Sequence, residues 1–122
     1  MKKILVIDDE ASLVKLLKRV LEKKGYSVTV CTDEHQGLAL FKEHNYDLLA
    51  VDYNLRSLSG EQVIREIKDN NPLFPVLIMS GKTNDFLEKN SYENTCFMLK
   101  PFSMAQFVDK VKTLLENCSP TN

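Results

Sequence analysis

Apolar residues follow two alternating patterns along the chain. Short apolar runs recur five times: ILVI (4–7), VTVC (28–31), LLAV (48–51), VLIM (76–79) and CFML (96–99). Continuous runs of this length read as strands buried on both faces of a parallel sheet, because a half-solvated strand alternates. The segments between them carry helical spacing. Leu13, Leu16, Leu17, Val20 and Leu21 make one stripe, with Gly25 where a helix C-cap belongs. Leu38 and Phe41 mark a weaker stripe over 34–44 that contains Gly37, and Val63, Ile64 and Ile67 mark a third, stopped by Asn71-Pro72. The last stripe runs through Met104, Phe107, Val108, Val111, Leu114 and Leu115, with Ser103 and Gln106 spaced as a capping box in front of it. Residues 83–92 are the poorest helical segment, with only Phe86 and Leu87 apolar before Tyr92.

Strand and helix therefore alternate five times. That pattern predicts an α/β domain, a doubly wound five-stranded parallel sheet with helices on both faces and right-handed crossovers. In such sheets function gathers at the carboxyl ends of the strands.

Composition narrows the classes. With 16 basic and 17 acidic residues and a formal net charge of −1, the chain has no basic stripe for a nucleic-acid backbone. Direct binding of nucleic acid by this domain is not expected. Nothing approaches a membrane span, and the four apolar residues after Lys2-Lys3 are too few for a signal-peptide core. Cys31, Cys96 and Cys118 are odd in number and share no ligand spacing, so neither a disulfide framework nor a zinc site is indicated, and a reducing cytoplasm fits. One domain over 1–118 is expected, with 119–122 as a frayed tail.

The candidate chemistry sits at the strand ends. The first run ends in Asp8-Asp9-Glu10, the third in Asp52, the fourth in Ser80-Gly81 and the fifth in Lys100-Pro101-Phe102. Singly, each has an ordinary explanation: acids before a helix serve as caps, an Asp opening a loop is turn chemistry, and a lysine is a solvated surface charge. Together they deliver three carboxylates, a hydroxyl and an ammonium to one sheet edge. Asp8, Asp9 and Asp52 would repel one another and raise each other's pKa values unless a cation sat among them. A hard divalent ion with oxygen ligands meets that need, and Mg²⁺ leaves coordination positions open for phosphate oxygens.

This set resembles the response-regulator receiver domain of two-component signalling along essentially the whole chain. The resemblance is carried by VIDDE, the lone Asp after LLAV, the Ser after VLIM, and LKPF. It implies a flavodoxin-like sandwich with strand order 2-1-3-4-5. It also implies Asp52 as phosphoacceptor, with Asp9 binding Mg²⁺ directly, Asp8 binding it through water, and the Asn54 backbone carbonyl as a further ligand. By the same resemblance Lys100 pairs with phosphoryl oxygens, Ser80 and Phe97 form the switch, and the Lys100-Pro101 bond is cis. Asn54 and Lys82 occupy positions that tune phosphoryl lifetime in this family. The implied partners are a sensor histidine kinase or His-containing phosphotransferase, an output partner or fused effector domain, and a second copy in a phosphorylation-dependent dimer. Such a module catalyses only its own phosphorylation and dephosphorylation. It is either a stand-alone receiver or part of a longer regulator.

Departures from the family pattern are confined to two loops. The family's Met-Pro after the acceptor is replaced by Leu55-Arg56, although Gly60 holds the loop glycine's place. SYENTCF stands where Gly-Ala often precedes the fifth strand, so an atypical output face is expected. His35 and His44 lack ligand spacing and read as surface helix residues, leaving the donor histidine to a partner. Two rival readings remain. One is a small Mg²⁺-dependent aspartyl-phosphate phosphohydrolase of the haloacid dehalogenase type, whose DxD pattern would fall on Asp8 and Glu10. The other is a degenerate receiver used as a docking scaffold.

Overall fold

In the computed structural model, which describes residues 1–54, 60–81 and 92–117, all five apolar runs are strands: β1 (Lys3–Ile7), β2 (Ser27–Cys31), β3 (Leu48–Asp52), β4 (Val76–Ser80) and β5 (Thr95–Leu99). They form one parallel sheet in the order β2-β1-β3-β4-β5. Four helices are described, α1 (Ala11–Lys23), α2 (Glu34–Glu43), α3 (Gly60–Asn70) and α4 (Met104–Asn117). Leu55, Arg56, Lys82 and Cys118 lie outside the described residues, as does all of the weak helical segment 83–92 except Tyr92.

Alternate strand residues feed opposite layers, as the pleat requires. Ile4, Val6, Leu48, Ala50, Leu77 and Met79 pack beneath α1 and α4, against Leu17, Leu21, Phe107 and Val111. Leu5, Ile7, Leu49, Val51, Val76 and Ile78 pack beneath α2 and α3, against Leu38, Val63, Ile64 and Ile67. From Ile4 to Ile7 and throughout β3 and β4 every residue is buried, whereas β2 and β5 keep half-exposed positions. Burial on both faces thus holds for the centre of the sheet and not for its edges, which the helix layers cover incompletely.

The helix boundaries have local causes. Gly25 adopts φ +94° past the end of α1; its N–H donates to the Glu22 carbonyl, and the Tyr26 N–H donates to Leu21. Those two bonds make a Schellman motif, and glycine takes the left-handed conformation without a Cβ penalty. The stripe on α1 is shifted from the expected one: Val14, Leu17 and Leu21 are buried, while Leu16 is 41% exposed. Gly37 lies inside α2, where a Cβ would stand 2.7 Å from the Ile7 Cδ1, so its lack of a side chain brings the helix close to β1. The capping box forms reciprocally: Gln106 N–H donates to Ser103 Oγ at 3.0 Å, and Ser103 N–H to Gln106 Oε1 at 3.1 Å. Asn94 takes the left-handed conformation at φ +54° before β5, a position asparagine tolerates better than other side chains.

Candidate functional site

Asp52 and Ser80 are the last residues of their strands, and Lys100 follows directly on β5. The ladder carries on past them: Tyr53 N–H donates to the Met79 carbonyl at 2.8 Å, and Lys100 N–H to the Ser80 carbonyl at 2.7 Å. This pairing fixes the backbone beneath each functional side chain. The Lys100-Pro101 peptide is cis, as expected.

The side chains converge. Lys100 Nζ lies 2.7 Å from Asp8 Oδ2 and 3.7 Å from Asp52 Oδ2. Asp8 is fully buried, and its other oxygen accepts the Glu10 N–H at 2.9 Å. One ligand oxygen each from Asp8, Asp9 and Asp52 lies within 4.8 Å of the other two. Asn54 N–H donates to Asp52 Oδ1 at 3.2 Å, and Asn54 Nδ2 donates to Ser80 Oγ at 3.1 Å. Gly60 N–H donates to the Tyr53 carbonyl, bringing α3 so close to the end of β3 that a Cβ at Gly60 would stand 2.4 Å from Tyr53 Cα. Phe97 packs half-buried against the α2–α3 side of the core together with Tyr92. His35 and His44 are exposed.

The electrostatics depart from expectation in one respect. Asp52 is pushed above the ordinary carboxylate value mainly by burial; the charges of Asp8 and Asp9 add to this, while the Asn54 N–H and Lys100 oppose it. Loss of hydration therefore outweighs mutual repulsion. For Lys100, burial alone would favour the neutral amine, but the hydrogen bond and charge of Asp8, followed by Asp52 and Glu10, raise it overall.

Comparison with known proteins resolves the family. The model of the response regulator receiver domain matches residues 4–112. The chain belongs to that family. Its curated relatives include the alkaline phosphatase synthesis transcriptional regulatory protein PhoP of Bacillus subtilis, 34% identical over 93% of this chain and 48% of the relative. Another is the transcriptional regulatory protein ResD of the same organism, 31% identical over 98% and 50%. The chain thus spans about half the length of the curated relatives it matches. Among solved structures, a receiver domain protein from Clostridium thermocellum superposes with a TM-score of 0.86 at 28% identity, covering 96% of each chain. Response regulator TrrA of Thermotoga maritima, solved in complex with Mg²⁺-BeF, superposes with a TM-score of 0.81 at 27% identity over 93% of this chain and 99% of that one.

Receiver domains are phosphoacceptor signalling domains of two-component regulators that bind Mg²⁺ at an acidic pocket and work with histidine kinases or phosphotransferases. The residues here fit a magnesium ion: three hard carboxylate donors lie within reach of one another, one of them costly to ionise where it sits. No helix among the described residues is long and apolar enough to cross a membrane.

Sequence reasoning missed two features. Asn54 was expected to act through its backbone carbonyl and on phosphoryl lifetime; its side-chain bond to Ser80 joins residues 26 positions apart. Lys68, 2% exposed, gives its ammonium to the carbonyls of Pro72, Phe74 and Glu93 at 3.2, 2.6 and 2.7 Å. Its place on an amphipathic helix resembled that of any surface lysine. Only the Asn71-Pro72 break just beyond it hinted at nearby carbonyls in need of a donor.

Proposed function

We propose that Asp52 of this receiver domain takes a phosphoryl group from a phosphohistidine of a sensor kinase or His-containing phosphotransferase. A carboxylate oxygen of Asp52 attacks phosphorus; the P–N bond to the donor imidazole breaks as the new P–O bond forms, and the departing imidazole takes up a proton. Lys100 supplies a fixed positive charge beside the transferring oxygens, held in place by Asp8. A magnesium ion held by Asp9, Asp52 and the Asn54 carbonyl, with Asp8 through water, would supply the remaining charge neutralisation. Ser80 then turns toward the added phosphoryl oxygens and Phe97 repacks, altering the output surface.

The observation that carries this reading is one ammonium bridging two carboxylates, with a third within 4.8 Å. Activity is limited to the domain's own phosphorylation and dephosphorylation. Asn54 and Lys82 are assigned to phosphoryl lifetime. The curated relatives are transcriptional regulators, which supports a transcriptional output through a fused effector domain or separate partner, with phosphorylation-dependent dimerisation as one route. The setting is the cytoplasm, where response regulators generally work.

Incubation with radiolabelled acetyl phosphate and Mg²⁺ tests the assignment. One phosphoryl group per chain is expected, absent from Asp52→Asn and absent in excess chelator. Labelling of Asp52→Asn at the parent rate overturns it, and sustained turnover of a generic phosphoester favours the phosphohydrolase.

A further inference from the structure

Asn54 has two donor nitrogens, and the structure uses both within the site. Its backbone N–H holds Asp52 Oδ1, and its side-chain amide holds Ser80 Oγ. Ser80 is 1% exposed, and its carbonyl accepts the Lys100 N–H at 2.7 Å, so its backbone is anchored between β4 and β5. The freedom left to Ser80 is rotation of its hydroxyl between staggered wells, a jump of about 120°. Such a jump gives up a 3.1 Å bond that depends on one orientation.

We propose that the side-chain amide of Asn54 is a latch on Ser80, holding the hydroxyl in its resting orientation until phosphorylation of Asp52 draws it away. The proposal rests on the assignment of Asp52 as acceptor and of Ser80 as the moving residue. It gives Asn54 a role separate from its carbonyl, because the amide acts on the resting state and the carbonyl on the metal. It also gives the switch a threshold: the phosphoryl group must offer Ser80 a better acceptor contact than the amide bond it breaks. A neutral hydrogen bond of this kind is worth about a fivefold change in an equilibrium.

The test uses Asn54→Ala, which keeps the backbone N–H and carbonyl and removes the side-chain amide. Beryllofluoride with Mg²⁺ serves as the phosphoryl mimic, and amide and side-chain resonances of Ser80 and Phe97 report the switch. The variant is expected to reach half-switching at about fivefold lower beryllofluoride. Without the mimic, its Ser80 and Phe97 resonances should move part of the way toward their switched positions. In a Ser80→Ala background, Asn54→Ala should have no further effect on mimic affinity.

An equal effect of Asn54→Ala with and without the Ser80 hydroxyl would mean that Asn54 acts on the phosphoryl group directly, overturning the latch. Unmoved resting resonances and unchanged mimic affinity would overturn it as well. Acetyl phosphate labelling of the parent, run alongside, separates the two failures. Absence of label at Asp52 removes the acceptor assignment, whereas normal labelling with an inert Asn54→Ala removes the latch alone.

Discussion

The Lys100 ammonium lies a full ångström closer to Asp8 than to Asp52, at 2.7 Å against 3.7 Å. In the resting protein the cation is thus anchored on Asp8, and Asp52, the proposed acceptor, keeps an oxygen within its field without a tight ion pair. On the proposed assignment, this arrangement leaves Asp52 nucleophilic while positive charge waits beside the place where charge would develop.

Lys100→Met should therefore slow labelling by acetyl phosphate about a hundredfold. Lys100→Arg should recover little of it, since a planar guanidinium cannot replace a compact ammonium between two carboxylates. Asp8 and Asp52 raise Lys100 above its ordinary 10.5, so its contribution is complete below that value and lost only as pH climbs past the raised one. A labelling profile between about pH 6 and pH 9 should carry no inflection from this group. Labelling of Lys100→Met at the parent rate would remove the lysine from the chemistry.

Asp52 has the opposite linkage. Its value is raised above the ordinary 3.8, chiefly by burial, so the folded protein holds this proton more tightly than the unfolded chain. Its stability contribution is greatest below the unfolded value and falls as pH rises through the window between the two. In chelator, Asp52→Asn should match the parent under acid conditions and exceed its Tm at neutral pH. Added Mg²⁺ should stabilise the parent more than the variant, narrowing that gap. A Tm advantage for Asp52→Asn that does not change with pH would show that ionisation is not its source.

The sheet and most of the site were legible because their causes are local in sequence. A strand buried on both faces advertises itself as an apolar run, and the residue ending it is marked by where the run stops, as at Asp52 and Ser80. Edge strands blur this rule: β5 reads as a core strand in CFML, yet Leu99 is 47% exposed. Spacing puts Leu16 on the buried stripe of α1, yet the residue is exposed, because spacing defines a face only to within one residue. The Asn54–Ser80 and Lys68–Glu93 bonds join residues 26 and 25 positions apart, and no local pattern encodes such pairs.

Gly60 should prove indispensable to both fold and chemistry. A Cβ there meets Tyr53 Cα at 2.4 Å and the Asp52 carbonyl oxygen at 2.7 Å, backbone atoms that cannot rotate aside. Gly60→Ala should cost about 3 kcal/mol by urea denaturation and slow labelling, because the strain falls on the backbone of Asp52, the proposed acceptor. Gly37→Ala offers the contrast: its Cβ meets the side-chain carbons of Ile7 at 2.7–2.8 Å, which can shift, so a smaller loss with normal labelling is expected. Equal losses in the two variants would show that the contact with the end of β3 is not special.

Lys68 holds three chain segments together at the end of the sheet opposite the acid cluster. Its ammonium reaches the Pro72 and Phe74 carbonyls of the α3–β4 connection and the Glu93 carbonyl before β5, and it lies 5.9 Å from the centre of the Tyr92 ring. The neighbouring Asn94 Nδ2 donates to the Leu73 carbonyl at 3.0 Å, so both sides of this junction depend on side-chain donors. Lys68→Met keeps the apolar stem and removes the ammonium, leaving those carbonyls without their charged donor. The loss should be about 3 kcal/mol, read as a lower urea midpoint at unchanged m. Amide exchange should quicken at Thr95 and Cys96 and stay unchanged at Ile4 to Ile7 in the centre of the sheet. Labelling of Asp52 should persist in the folded variant, because the junction lies at the opposite end of the strands; loss of labelling without loss of stability would place Lys68 in the chemistry instead.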